Sequence, residues 1–421
     1  MASQRKFTTM DANANLVSPG NGHKAASPYC SNGSSPINGS AHPPTSQDAA
    51  SSAGTGRVSM GSLARIMTCI LAGAIFGLSM EKGRVFEPEL IRRQMDFSCL
   101  IMLKMFLAAV SVVLVSMATL SVIPLTSQRF RIARDNFICR LSAKGVSASA
   151  IGGTLLGVGM TFSGACPGAV LVQVGAGVSN AYYTLVGSII GAMLYGVTER
   201  TVSRWTRPNN PSQKVRIDEV MGLPFWMVAL PLGVVMALIV YLLEVMVPWK
   251  NELSAPNNSE ASLVALRSWL PSISGALIGS LQIPIVLAMG QTMGGSGSYC
   301  TMAAQFFPSE TLARISPYLL RTKYGFNNWW SIVYGCAAII GAIFSASMSG
   351  SLGTTLGVPA LHAFMGGIVM VYGSRLAGGC TSGHGMSGMG TLCLFSFVAV
   401  PAMFIGGIGT LAMMKLAGLV N

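Results

Sequence analysis

From residue 62 onward the chain is a succession of apolar stretches broken by short glycine-rich segments. Each stretch approaches the roughly 20 residues that carry a helix across ~30 Å of hydrocarbon. They fall at 62–80, 99–123, 146–164, 182–198, 222–247, 270–290, 331–348, 357–376 and 392–417. Hydrocarbon offers the backbone no hydrogen-bond partners, so such stretches satisfy their own N–H and C=O groups as helices. The expected fold class is all-α: a polytopic membrane protein with about nine transmembrane helices and short re-entrant helices between them. The net charge of +13 might suggest a nucleic-acid binder, but only 10% of residues are charged, and the basic ones cluster between apolar stretches. That distribution orients loops at a membrane instead.

Three interruptions, 165–180, 291–307 and 379–391, are too short or too rich in glycine to cross. Irregular backbone at membrane depth is tolerated only where protein buries it or a polar cavity hydrates it, so these segments are expected to line a pathway. Two carry a common signature, Gly164-Ala165-Cys166-Pro167-Gly168 and Gly378-Gly379-Cys380-Thr381-Ser382-Gly383-His384-Gly385, with the cysteines 214 residues apart. Gly152-Gly153 maps onto Gly366-Gly367 by the same offset, and Gly83, three residues before Phe86, onto Gly297, three before Cys300. The chain therefore divides into a polar tail at 1–60, a first transmembrane repeat at 61–220, a connecting helix and loop at 221–269, and a second, pseudo-symmetric repeat at 270–421. Most other glycines, Gly187, Gly191, Gly366 and Gly367 among them, are expected to let helices approach closely.

The tail is rich in Ser, Asn, Gly and Pro and is expected to be disordered. It lacks a secretory h-region, and its Asn32 and Asn38 acceptor tripeptides, like Asn257-Asn258-Ser259, are common by chance. Trp226, Trp249, Trp269, Trp329 and Trp330 lie near span ends and are expected to anchor in the headgroup layer. Two basic loops, Arg129 to Lys144 and Glu199 to Glu219, are expected on the cytoplasmic side. Lys104 and Glu244 are expected to serve as flanking or packing residues.

Nine cysteines without a regular framework suggest free thiols, and Cys69, Cys99, Cys139, Cys336 and Cys393 read as small core hydrophobes. Cys166 and Cys380 differ because their surroundings break helices. Pro167 suits a first helical position, which sets the Cys166 thiol at a helix N-terminus where free N–H groups favour an anion. Weak S–H donors on a polarizable atom suit a soft, sulfur-bearing anion, with the N–H groups of Gly168 and Gly383, the hydroxyls of Thr381 and Ser382, and His384 as complements. A metal site is the weaker reading, since there is no Cys-x-x-Cys pair and two of the four histidines lie in the tail. No phosphate-binding loop is present in the sequence.

The motifs Ser163-Gly164-Ala165-Cys166-Pro167-Gly168, Arg375 to Gly385, and Glu81-Lys82-Gly83-Arg84-Val85-Phe86-Glu87-Pro88 resemble those of the YeeE/YedE sulfur-transport family. The likeness covers residues 62–417. It implies a pseudo-symmetric membrane protein whose loops and short helices meet from both sides at a constricted centre, where cysteines pass thiosulfate by successive S–H to sulfur contacts. Carried over by motif, Cys166, Cys300 and Cys380 form the path, supported by Gly164, Pro167, Gly168, Gly379, Thr381, Ser382, Gly383, His384, Arg375 and Arg84. By the 214 offset Phe86 stands opposite Cys300, so a fourth thiol is missing, and Arg84, opposite Ser298, adds anion attraction nearby. The expectation is a transporter of a sulfur-containing anion, thiosulfate first, not an enzyme and without cofactor or metal. Its partners would be that anion and the bilayer, not nucleic acid, in an undetermined oligomeric state. The alternatives are a membrane sulfurtransferase working through a persulfide, and a carrier of another sulfur or selenium species. The plasma membrane is favoured over an organelle.

Overall fold

The structure, a computed structural model, describes residues 60–206, 215–253 and 262–420. The polar tail with Cys30, all three acceptor tripeptides, Arg207 and Lys214 lie outside the described residues. The first half comprises α1 (Met60–Lys82), α2 (Pro88–Met95), α3 (Ile101–Val122), α4 (Pro124–Ser142), α5 (Gly145–Ser163), α6 (Ala169–Gly175) and α7 (Ala181–Thr206). A short α8 (Ile217–Met221) and a long α9 (Phe225–Met246) connect it to the second half. There follow α10 (Pro271–Ser280), α11 (Gln282–Met289), α12 (Ser296–Gln305), α13 (Ser309–Ile315), α14 (Pro317–Lys323), α15 (Phe326–Met348), α16 (Ala360–Ala377), a wide π-type turn at Thr381–Gly388, and α17 (Leu394–Leu416). Among the described residues there is no β-strand, only an isolated bridge between Arg216 and Cys393.

Eight helical segments are long and apolar enough to cross a membrane: α1, α3, α5, α7, α9, α10 with α11, α15 and α17. The ninth expected crossing corresponds to α16, which at 18 residues is long enough but falls short of that standard in apolar character, diluted by His362 and Arg375. It is nevertheless the centre of the bundle. Glycines bring α16 into backbone contact with both α5 and α7: a Cβ on Gly159 would lie 2.2 Å from Met370 N, and one on Gly187 2.2 Å from Phe364 O. Helices that approach this closely gain dispersion along their whole length, which substitutes for the hydrophobic driving force that lipid does not supply.

The packing is reciprocal. α5 and α16 cross at the centre, α7 lies on α16, and α17 lies on α5. Farther out, α1 pairs with α15, and α3 pairs with α10. The peripheral α9 leans on α3, and most of its side chains remain exposed.

Helix ends fall on two faces. On one, Asn136 Nδ2 donates to Gly290 O (3.3 Å) and Ser147 Oγ to Thr206 O (2.9 Å), which places α4, the start of α5 and the ends of α7 and α11 together. On the other, Trp269 N donates to Lys82 O (2.8 Å), Ser351 Oγ to Glu81 (2.9 Å), and Lys415 pairs with Asp96 at 2.8 Å.

Several expectations change. The first basic loop is mostly helix: α4 buries Phe130, Ala133, Phe137, Ile138 and Leu141, a helical spacing that places Arg129 and Arg131 outside. The second is partly helix as well, because α7 continues to Thr206. Trp226 and Trp329 are partly exposed as anchors should be, but Trp330 is buried edge-on against Tyr334 and lines a cavity. Cys336 is exposed, and Cys139 is not among the free thiols, so neither fits the expectation fully. Lys104 is buried between Glu244 and Glu252, both at 3.1 Å, and ties α3 to the end of α9.

The bounds of α5, α6 and α7 shifted by 214 fall close to those of α16, the π-type turn and α17. Gln173 and Ser387 are 214 apart; Gln173 Nε2 donates to Phe86 O (2.8 Å), whereas Ser387 Oγ donates to Met293 O (2.6 Å). Met293 follows Phe86 by 207 residues, the separation that also holds between the ends of α1 and α11.

Candidate functional site

Gly164 ends α5 in a left-handed conformation (φ 58°) that side chains disfavour, and a Cβ there would lie 2.5 Å from Pro88. The chain then turns through Cys166 and Pro167 into α6. The Ala169 N–H lies 3.3 Å from Cys166 Sγ, so the sulfur sits at the start of α6 as the proline implied. Gln173 braces the turn from within α6 by donating to Gly164 O (2.8 Å).

The second turn comes from the opposite face. Gly378, at φ 95°, ends α16, and Cys380 leads in extended conformation into the π-type turn. Cys380 is fully buried; its Sγ lies 3.1 Å from Ser382 Oγ and 3.8 Å from a Cβ built on Gly383.

A third segment, the loop from Gly290 to Gly295, is wedged between them. Cβ atoms built on Gly294 and Gly295 would lie 3.9 Å from Gly383 Cα and 4.0 Å from Gly168 Cα. Just beyond, in α12, Tyr299 donates to Pro167 O (2.6 Å). Cys300 points away from this junction, 4.0 Å from the Tyr318 hydroxyl. That hydroxyl accepts from Arg375 Nε (2.9 Å) and Nη2 (2.6 Å), while Arg375 Nη1 donates to Ser296 Oγ (3.2 Å). The guanidinium thus stands one side chain away from Cys300 through Tyr318 and lines the same cavity as Cys380.

A cavity of about 270 Å³ opens here on the α4 face. Arg140, Arg321 and Arg375 line it together with Ser296, Thr301 and Asn328, and Cys380 lies at its floor. No carboxylate is among its lining residues. On the far side of Thr381 the space contracts to about 30 Å³ among Met95, Met102, Phe106, Met160 and Met403.

Of the residues read from sequence, Cys166, Gly168, Cys380, Thr381, Ser382, Gly383 and Arg375 come together, with Cys300 on their flank. Gly379 lies against the His384 ring rather than the thiols. His384 is buried in a structural bridge: Nε2 faces Ala377 O (3.2 Å) and so donates, leaving Nδ1 to accept from Ser396 Oγ (3.0 Å). Arg84 is not at the junction either. It pairs with Glu81 (3.4 Å) and Glu87 and covers the ring of Phe86. Sequence reading missed Tyr318, Ser296, Tyr299, Arg140 and Arg321; of the bracing pair Gln173 and Ser387, the shared offset was a signal that could have been used.

A helical bundle entered from both faces by broken segments, with free thiols at their meeting point and a cationic cavity above, defines a multi-pass membrane protein with a polar centre. The chain belongs to the sulphur-transport family, whose model matches residues 82–409. It is similar to the thiosulfate transporter TsuA of Spirochaeta thermophila, at 23% identity over 368 residues covering 82% of this chain and 98% of that protein. It is also similar to the thiosulfate transporter TsuA of Escherichia coli, at 22% identity over 272 residues covering 61% of this chain and 71% of that protein.

Proposed function

We propose that the protein carries thiosulfate, or a close sulfur analogue, across the membrane along Cys300, Cys380 and Cys166. The observation that carries this reading is the meeting of two cysteine turns from opposite faces, with Gly294 and Gly295 between them: Cβ atoms built there would lie 3.9 Å from Gly383 Cα and 4.0 Å from Gly168 Cα. Family membership and the names of the two relatives support the substrate class. A desolvated anion needs replacement donors at each step. Thiols and hydroxyls provide weak, closely spaced ones, which hold a polarizable sulfur without trapping it.

The reciprocal packing supports a division into two inverted repeats joined by α9, each contributing one cysteine turn to the centre. The α4 face is proposed to be cytoplasmic, because Arg129, Arg131, Arg200, Arg204 and Arg321 gather there. The plasma membrane is the proposed location.

Uptake of labelled thiosulfate into liposomes containing the full chain tests the function. Cys380→Ala and Cys166→Ala are expected to abolish uptake with the protein folded, and Cys300→Ala to reduce it. Undiminished uptake by Cys380→Ala would sink the thiol path. Release of labelled sulfur to a thiol acceptor by detergent-solubilised protein, without a second compartment, would instead mark a sulfurtransferase.

A further inference from the structure

We propose that the cavity above Cys380 is an oxyanion-recognition site, in which Arg375, Arg140 and Arg321 hold the sulfonate end of the anion while the thiol below holds its sulfur. The inference rests on the transport reading and extends it to how the substrate is selected.

Charge is the first argument. Among the described residues Arg375 has hydrogen-bond partners in Tyr318 and Ser296, both neutral, and forms no ion pair. The buried charged clusters elsewhere in the molecule, around Glu81 and around Lys104, are closed by carboxylates. A partly buried guanidinium without a counter-ion is costly, and two further arginines beside it raise the cost through mutual repulsion. A visiting dianion removes that cost. The cavity, at about 270 Å³, has room for a small tetrahedral anion with part of its water.

Position is the second. Ser296 accepts from Arg375 Nη1 (3.2 Å) and lines the cavity together with Arg375 and Cys380, so guanidinium and thiol face one space. Their chemistries differ. Guanidinium groups match oxyanions through paired, charge-assisted N–H donors, whereas a thiol matches a soft sulfur. Thiosulfate satisfies both at once. Sulfate satisfies only the arginines, so it should occupy the cavity without advancing: an inhibitor that is not carried.

The test measures labelled thiosulfate uptake by the full chain in liposomes, with unlabelled sulfate on the α4 side, alongside calorimetric sulfate binding to the purified protein. Wild-type protein is expected to bind sulfate and to be inhibited by it competitively. In Arg140→Ala/Arg321→Ala, KM for thiosulfate and the sulfate inhibition constant should both rise about tenfold, roughly what the loss of one charge-assisted hydrogen bond predicts. The melting temperature should be unchanged. Cys380→Ala should lose uptake yet bind sulfate normally, which a general collapse of the centre would not allow. Arg375→Lys should weaken sulfate binding because the paired donors are lost although the charge is kept. If the double variant keeps wild-type uptake and sulfate inhibition, the recognition site is wrong and the transport reading stands. If wild-type protein binds sulfate through these arginines but carries no sulfur anion, the site stands and the transport reading fails.

Discussion

Glu81 shows how a charge can be fully buried without being a substrate site. Its two oxygens accept from Ser345 (2.6 Å) and Ser351 (2.9 Å) and face Lys82 (3.2 Å) and Arg84 (3.4 Å). Removing it leaves the buried Lys82 without a carboxylate, since Arg84 keeps Glu87, at a cost of about 3–5 kcal/mol. Glu81→Ala is therefore expected to lower the melting temperature and membrane abundance markedly, while any folded fraction transports normally; an unchanged melting curve would contradict the network. The same cluster explains the misplacement of Arg84 in the sequence reading. Glu81 and Glu87, three residues to either side, were visible partners, and an arginine with two near carboxylates is spent. Cys166 and Cys380 were legible because glycine and proline beside a cysteine cannot continue a spanning helix. Tyr318, Arg140 and Arg321 were not legible, since nothing in their own neighbourhoods marks them and only the packing of α4 and α14 around the end of α16 brings them to the site.

At the scale of helices, the glycines separate into contact positions and open ones. A Cβ on Gly159 would meet Met370 N at 2.2 Å and Met370 Cα at 2.4 Å, where α5 and α16 cross. Backbone cannot give way as a side chain does, so Gly159→Val is expected to destabilise by at least the ~1–3 kcal/mol of ordinary overpacking. Gly297, in α12, has nothing within 4 Å of its built Cβ. Gly297→Ala should therefore leave the protein as stable as before or gain about 0.5–1 kcal/mol from reduced chain entropy. Thermal melts of the two variants in one detergent check both, and similar losses would mean that α5 and α16 do not cross as described. Most spans were legible because apolar length alone announces them. α16 was placed correctly at 357–376 from the same pattern, although His362, Arg375 and its glycines dilute it. α2 and α4 were not anticipated: α2 has eight residues and α4 is only half apolar, so neither resembles a crossing, and each is held by neighbours rather than by its own composition.

For the whole molecule, the two faces differ in charge as well as in shape. Arg129, Arg131, Arg134, Arg140, Arg200, Arg204 and Arg321 lie on the α4 face and outnumber its acids, while Glu81, Glu87, Glu89, Asp96 and Glu252 offset the cations of the other. Cationic loops are retained on the cytoplasmic side, so the arginine-lined cavity should open inward and the C-terminal end of α17 should lie outside. Leu125, at the start of α4, is 89% exposed and Leu419, beyond α17, is 55% exposed, so a cysteine at either position is reachable by a water-borne reagent. In cells treated with a membrane-impermeant maleimide, Leu419→Cys is expected to label at once and Leu125→Cys only after permeabilisation. The reverse pattern would turn the molecule over and make the arginines a capture site for external anion instead of a site facing the cell interior. Labelling of both positions from one side would rule out an odd number of crossings, and with it the role of α16 as a membrane-crossing helix between the two cysteine turns.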